Sequence, residues 1–231
     1  MNIFNLVVDS IKKRGLTRTI QIILSNLGDY WFDIKYGTNT TRWVNLNDLE
    51  VRSENKQRGM KYQPTFERPF RKLMNIVDFP SDSVFVDLGC GKGRVLMMAS
   101  EYGFKRIVGV EFSRELCEDA TRNLSIYRKK VGVDVDVDIV ELDVVDYEIK
   151  DDENIFFMFN PFDEVVLNKV LTHINMSLEK RDRKIWLIYY NPLCGDIIEK
   201  QGNLEKAGEY IFGGMEFIVY VSNSSNDLLK K

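Results

Sequence analysis

The stretch Val86-Asp87-Leu88-Gly89-Cys90-Gly91-Lys92-Gly93-Arg94 constrains this chain more than any other. It comes after a β-branched and aromatic run, Val84 to Val86, and leads into an apolar helical run, Val95 to Ser100. Glycines in alternation let the backbone turn sharply and come close to a ligand with no Cβ in the way. A dinucleotide site built on such a strand, turn and helix needs a glycine at position 94. This chain has arginine there, and its third glycine comes one residue early. A turn that merely links strand to helix is the alternative reading.

Beyond the loop, strands and helices alternate. Arg106 to Val110, Val135 to Val140, Ile155 to Phe159 and Lys184 to Tyr190 read as strands, separated by helices over Arg114 to Leu124 and Glu164 to about Leu178. Strands alternating with helices predict a parallel sheet covered on both faces. Two apolar runs, Glu209 to Phe212 and Met215 to Val221, are joined by Gly213-Gly214 and predict a terminal antiparallel hairpin. Before the loop, two stripes at helical spacing (Ile3, Phe4, Val7, Val8, Ile11 and Ile20, Ile23, Leu24, Leu27, Trp31) predict two helices parted by Gly15. A polar, irregular stretch runs from Tyr36 to Tyr62, and after it comes a helix carrying Phe66, Phe70, Leu73, Met74 and Val77. The division expected is a helical extension over 1–80 and an α/β domain over 81–231.

Composition narrows the function classes. A formal net charge of -3 gives no global electrostatic case for nucleic acid, so no nucleic-acid partner is expected. Three scattered cysteines and a single histidine, His173, argue against a metal site or a disulfide framework, and a reducing cytoplasm is the expected setting. No apolar run approaches the roughly 20 residues that span a bilayer, so no stable membrane insertion is expected. Lys12, Lys13, Arg14 and Arg18 cluster near the junction of the first two helices. They could touch a membrane surface or an acidic partner, and a role in packing or in a lid is the plainer reading.

Glu111 closes the second strand, where a carboxylate can accept hydrogen bonds from two vicinal ribose hydroxyls. Phe112 beside it could cover one face of an adenine. The fourth strand ends in Asn160-Pro161-Phe162, and Tyr190-Asn191-Pro192 ends the fifth. Both Asn-Pro turns fall at the carboxyl edge, where open α/β sheets bind ligands. His173 reads as a surface residue on the helix after Phe162.

The loop spacing, with Asp87 leading into it and Glu111 after it, resembles class I S-adenosylmethionine-dependent methyltransferases. That resemblance implies a Rossmann-like, seven-stranded, mostly parallel sheet in the order 3-2-1-4-5-7-6, with S-adenosylmethionine as cofactor. It implies that Asp87, Gly89, Gly91 and Gly93 hold the methionine portion, Glu111 the ribose, and Phe112 and Asp143 the adenine. Asn160-Pro161-Phe162 is similar to the Asn/Asp-Pro-Pro-Tyr/Phe motif of amino-group methyltransferases, with one proline missing. Those three residues would face the acceptor atom, with Tyr190 and Asn191 nearby. Tyr62-Gln63-Pro64-Thr65 is similar to a segment of lysine methyltransferases without a SET domain, which implies that Tyr62 and Thr65 close over the cofactor. The acceptor implied is an amine on a protein or a small molecule, the alternatives being O- or C-methylation of a metabolite and a non-catalytic binding module. The sequence leaves the oligomeric state open.

Overall fold

The computed structural model describes residues 8, 11–12, 15–42, 44–45, 49–51 and 53–222. Seven strands form one sheet in the order β3-β2-β1-β4-β5-β7-β6. In chain order they are β1 (Val84–Leu88), β2 (Arg106–Glu111), β3 (Asp136–Glu141), β4 (Glu153–Met158), β5 (Trp186–Tyr190), β6 (Leu204–Phe212) and β7 (Met215–Ser222). The first five run parallel, and β7 lies antiparallel to both β5 and β6. Strand order and closing hairpin agree with the expectation from sequence. The hairpin turns on Gly213 and Gly214, whose φ angles of 61° and 80° suit the type of turn that matches strand twist.

Side-chain alternation sorts the core into two layers. Phe85, Ile107, Ile155, Phe157 and Ile188 face one side; Val84, Val86, Val108, Phe156, Met158 and Leu187 face the other. The second side is covered by α5 (Glu164–Lys180) through Val166, Leu167, Val170, Leu171 and Ile174. The first side is covered by α3 (Arg94–Ala99) and α4 (Arg114–Val131), together with the N-terminal elements α1 (Leu16–Tyr36) and α2 (Glu67–Ile76). One further short helix, α6 (Gly195–Gln201), lies between β5 and β6, and the sequence pattern does not predict it.

The N-terminal elements share the sheet's core. Phe70, Leu73 and Met74 of α2 are buried in the same cluster as Phe85 and Phe157, with Phe70 edge-on to Phe157 at 5.6 Å between ring centres. Arg71 ties α2 to the turn after α3 with a two-pronged contact to Glu101 (2.8 and 3.0 Å) and bonds Glu67 within its own helix (2.9 Å). The first expected helix, with Ile3, Phe4 and Val7, falls mostly outside the described residues. The second is α1, of whose expected stripe Ile20 and Trp31 fall among the residues with described side chains. Ile20 and Trp31 are exposed, while Phe32 and Tyr36 are buried and pack their rings on Tyr127 of α4. Aromatic contact with α4 turns the Phe32 and Tyr36 end of the helix inward. β6 also begins earlier than its apolar run predicts, because Leu204 to Gly208 pair with β7 through a bulge despite their charge.

Candidate functional site

Because β1, β2, β4 and β5 are parallel, their carboxyl ends gather on one edge of the sheet. There they surround a cavity of about 280 Å³. Twelve residues singled out in the sequence line it: Tyr62, Thr65, Asp87, Gly89, Gly91, Glu111, Phe112, Asp143, Asn160, Pro161, Phe162 and Asn191. Gly93 and Tyr190 do not. Gly93 begins α3, where an added Cβ would meet Ala120 of α4 at 3.0 Å. Tyr190 is fully buried between Phe159 and Phe217, with ring centres 4.2 and 4.4 Å away. His173 sits half-buried on α5 and takes no part in the cavity.

Glu111 is held at both oxygens. The Gly91 N–H donates to Oε2 at 3.0 Å and the Ser113 N–H to Oε1 at 2.9 Å. Each oxygen keeps a lone pair for a further donor, so the carboxylate presents two acceptors side by side. Burial pushes the Glu111 carboxyl up to about 7, against the lowering effect of those backbone bonds. Asp87 is pushed well above the usual carboxylate range, first by burial and then by Glu111.

The glycine loop spends its own donors internally. Gly89 and Cys90 donate to the Val110 carbonyl (2.9 and 3.0 Å), Gly91 to Glu111, and Gly93 to the Cys90 carbonyl (2.9 Å). A loop of this kind does not offer the row of free amides that a pyrophosphate wants. With two buried carboxylates beside it, the site favours a ligand rich in hydrogen-bond donors. The cradle is also tight: a Cβ on Gly91 would lie 2.4 Å from the Tyr62 ring.

A strap from the polar N-terminal stretch lies across the cavity, and its sequence signal is confined to the end at Tyr62 and Thr65. Ser53 Oγ and Asn55 Nδ2 (2.9 Å) both donate to Asp143 Oδ2, while the Val145 N–H donates to Oδ1 at 3.1 Å. Asp143 is therefore already clamped by protein donors. A short 3-10 helix, Glu54–Arg58, then carries the strap to the far end. There the Met60 N–H donates to the Pro161 carbonyl (2.9 Å), the Asp163 N–H to the Arg58 carbonyl (3.0 Å), and Arg58 pairs with Asp163 at 2.8 Å.

The strap's root is a buried polar knot. Asp33, four residues before the glycine that ends α1, accepts from the hydroxyls of Thr38, Thr40 and Thr41 and from the amides of Thr40 and Thr41, all at 2.7–2.8 Å. Arg94, 2% exposed, lines the cavity, donates to Thr40 Oγ1 at 2.6 Å, lies 3.7 Å from Asp33 and stacks over Phe32. Tyr62 Oη donates to the Thr40 carbonyl at 2.8 Å. The threonine cluster after Gly37 is the one sequence signal for this knot.

At the opposite end, Asn160 and Asn191 leave adjacent strands with φ angles of 41° and 51°. Asparagine tolerates this left-handed conformation better than most residues. Asn160 is buried, and its Oδ1 accepts from Tyr189 Oη at 3.0 Å. Asn191 is exposed. Met60 and Leu193, also lining the cavity, are exposed apolar side chains.

Comparisons with known proteins agree with this geometry. A methyltransferase-domain family model matches residues 86–191, from the glycine loop to Asn191. A protein-lysine N-methyltransferase of Saccharolobus islandicus is 29% identical over 124 residues, which cover 53% of this chain and 68% of that protein. An uncharacterized protein of Methanocaldococcus jannaschii is 39% identical over 67 residues, and the match covers only 29% of either chain. Two solved structures share the fold. One is an RNA methyltransferase from Salinibacter ruber in complex with S-adenosyl-L-homocysteine, with a TM-score of 0.50 and 17% identity, covering 69% of this chain and 93% of that one. The other is an NADB-Rossmann superfamily protein from Streptococcus agalactiae, with a TM-score of 0.53 and 15% identity, covering 70% of each. Among the described residues no helix is long and apolar enough to cross a membrane. The glycine loop, the acid at the end of β2 and the sheet order agree with the methyltransferase-domain match over residues 86–191, and together they support a class I S-adenosylmethionine-dependent methyltransferase.

Proposed function

We propose that the acceptor is an amine nitrogen and that it belongs to a lysine side chain of a protein. The observation that carries this reading is Asn160, a buried carboxamide at the end of β4 that lines the cavity next to Pro161 and Phe162. The similarity to a protein-lysine N-methyltransferase supports the same acceptor class. So do Met60 and Leu193, whose exposed apolar side chains suit the aliphatic stem of a lysine. The reading takes 81–231 as the methyltransferase domain and 1–80 as an extension whose strap covers the cofactor. It sets the enzyme in the cytoplasm, in keeping with three cysteines that are all free thiols.

S-adenosylmethionine supplies an activated methyl group on a sulfonium. The chain's residues bind and align. In this proposal Glu111 accepts from both ribose hydroxyls, Phe112 and Asp143 flank the adenine, and Asp87 and Gly89 to Gly91 hold the amino-acid end. Gly93 serves this end indirectly, by packing α3 on α4. At the other end Asn160 Oδ1 accepts from the acceptor N–H, which aims the nitrogen lone pair and disperses the positive charge that develops on it. The Pro161 carbonyl already serves Met60 and has one lone pair left for the same purpose. Phe162 packs at the turn, while Asn191 marks the rim; Tyr190 supports the pocket from the core. Exclusion of water by Tyr62 and Thr65 completes the arrangement.

Glu111 links cofactor binding to pH. Its carboxyl is raised from 4.5 to about 7 in the free protein, so it holds a proton there that the unfolded chain has lost. The free protein therefore loses stability as pH rises from about 4.5 through about 7. Ribose hydroxyls favour the ionised form, so cofactor affinity runs the other way and strengthens across the same window. Titration calorimetry in buffers of different ionisation enthalpy is expected to show proton release on binding near pH 6. Glu111→Gln is expected to weaken binding by about 2 kcal/mol and to flatten that pH dependence.

The acceptor class is tested by incubating the enzyme with methyl-labelled S-adenosylmethionine and a clarified cell extract, then separating protein, nucleic acid and small molecules. Label is expected in protein, as methyllysine after hydrolysis, and lost when lysines are acetylated beforehand. Transfer should rise with pH as the lysine amine is deprotonated. Label in RNA or in the small-molecule fraction, or none at all, overturns the reading.

A further inference from the structure

Asn160 can act on an amine only if its oxygen, and not its NH2 group, is correctly placed. A carboxamide can flip, and the two orientations have the same shape but opposite hydrogen-bonding character. With the NH2 group towards a neutral amine, it would donate to the lone pair that must attack, and so quench it. Something in the protein has to fix the orientation.

We propose that Tyr189 is that device, a positioning residue that sets the Asn160 carboxamide from behind. Tyr189 lies in β5 one residue before Tyr190, is 2% exposed and does not line the cavity. Its Oη donates to Asn160 Oδ1 at 3.0 Å and accepts from the Cys194 N–H at 3.4 Å. The direction of this relay is set at its far end. A backbone N–H can only donate, so the phenol oxygen meets it as an acceptor, and the phenol proton goes to Asn160 Oδ1 because a carboxamide oxygen is a far stronger acceptor than the neighbouring Cys194 thiol. The flipped carboxamide would bring a second donor to an oxygen already taking one and leave the phenol proton only the weakly accepting Cys194 thiol. Burial pushes the Tyr189 phenol well up, so the proton stays in place across any working pH. One lone pair of Asn160 Oδ1 serves Tyr189 and the other is free for the acceptor N–H. Alternation along β5 explains the division of labour: Tyr190 stacks in the layer of Phe159 and Phe217, while Tyr189 points into the opposite layer beneath Asn160.

This inference rests on the amine reading of Asn160, and binding of two probes separates the fates of the two. Sinefungin carries an amine where S-adenosylmethionine carries its methylsulfonium, and S-adenosylhomocysteine carries nothing there. The ratio of their dissociation constants therefore reports the Asn160 contact without any acceptor. The intact protein is expected to prefer sinefungin by about tenfold, as one charge-assisted hydrogen bond allows. Asn160→Ala should abolish the preference. Tyr189→Phe keeps the ring in the core and should remove most of the preference, with S-adenosylhomocysteine affinity and melting temperature unchanged. The double variant should be no worse than Asn160→Ala alone. If Tyr189→Phe keeps the full preference while Asn160→Ala loses it, the role of Tyr189 is wrong and the amine reading stands. If Tyr189→Phe weakens both probes equally or lowers the melting temperature, Tyr189 is structural only. If the intact protein shows no preference, or Asn160→Ala retains it, the amine reading falls and takes this inference with it.

Discussion

Asn160→Ala is expected to lower turnover of a lysine acceptor by about 100-fold while leaving the dissociation constant of S-adenosylmethionine within about twofold. The asymmetry comes from where the residue stands. In the proposed arrangement Glu111 holds the ribose and the glycine loop the amino-acid end of the cofactor, both at the β1 and β2 end, while Asn160 lies at the β4 end of the cavity. In the proposed reaction its carboxamide oxygen would meet a nitrogen whose charge grows as the new bond forms, which makes the contact stronger in the transition state than before it. A preorganised dipole aimed at developing charge typically contributes about 10²–10³ in rate. A neutral acceptor next to a neutral nucleophile belongs at the lower end. Kinetics with saturating cofactor checks this. A fall in affinity with unchanged turnover would assign Asn160 to binding.

Asp33→Ala is expected to destabilise the protein by about 3 kcal/mol, a fall of roughly 6–12 °C in melting temperature. Five hydrogen bonds end on this one carboxylate, and the buried guanidinium of Arg94 lies 3.7 Å away. Removing the acceptor strands several donors in a region closed to water, which costs more than the bonds themselves contribute. The pH dependence gives an independent signature. Burial would raise the Asp33 carboxyl, but bonds from Thr38, Thr41 and Thr40 outweigh it and hold the group below 3.8. A depressed carboxylate stabilises the folded state above its unfolded value and loses that contribution as pH falls through the folded one. The gap between wild type and variant should therefore close below about pH 4. Thermal melts at several pH values measure it. Since Thr40 also receives Arg94 and Tyr62, the variant should loosen cofactor binding as well.

The two ends of this account are unequally legible in the sequence. Glycine φ angles, alternation along β1 and β4 and the Gly213-Gly214 turn are local, so they leave a periodic or compositional trace. They are enough for the strands, the closing hairpin and the placing of Glu111 and Asn160 at strand ends, whereas the strand order is what the resemblance to class I methyltransferases implies. Apart from Tyr62, Thr65 and the threonine cluster at its root, the strap leaves no such trace. Ser53 and Asn55 meet Asp143, Arg58 meets Asp163, and Met60 meets Pro161, each pair far apart in the chain and joined through polar contacts alone. The inward turn of the last part of α1 is hard to read for a related reason. Phe32 and Tyr36 face α4 because Tyr127, far later in the chain, offers them a matching aromatic surface. Motif position assigns Gly93 and Tyr190 to the site, whereas packing against Ala120 and Phe217 explains both.

A crystal structure of the protein with S-adenosylhomocysteine tests the arrangement of the site most directly. The expected result has both oxygens of Glu111 bonded to the ribose hydroxyls, the adenine between Phe112 and Asp143, and the sulfur turned towards Asn160 and Pro161. A ribose away from Glu111, or a sulfur facing away from Asn160, would contradict it.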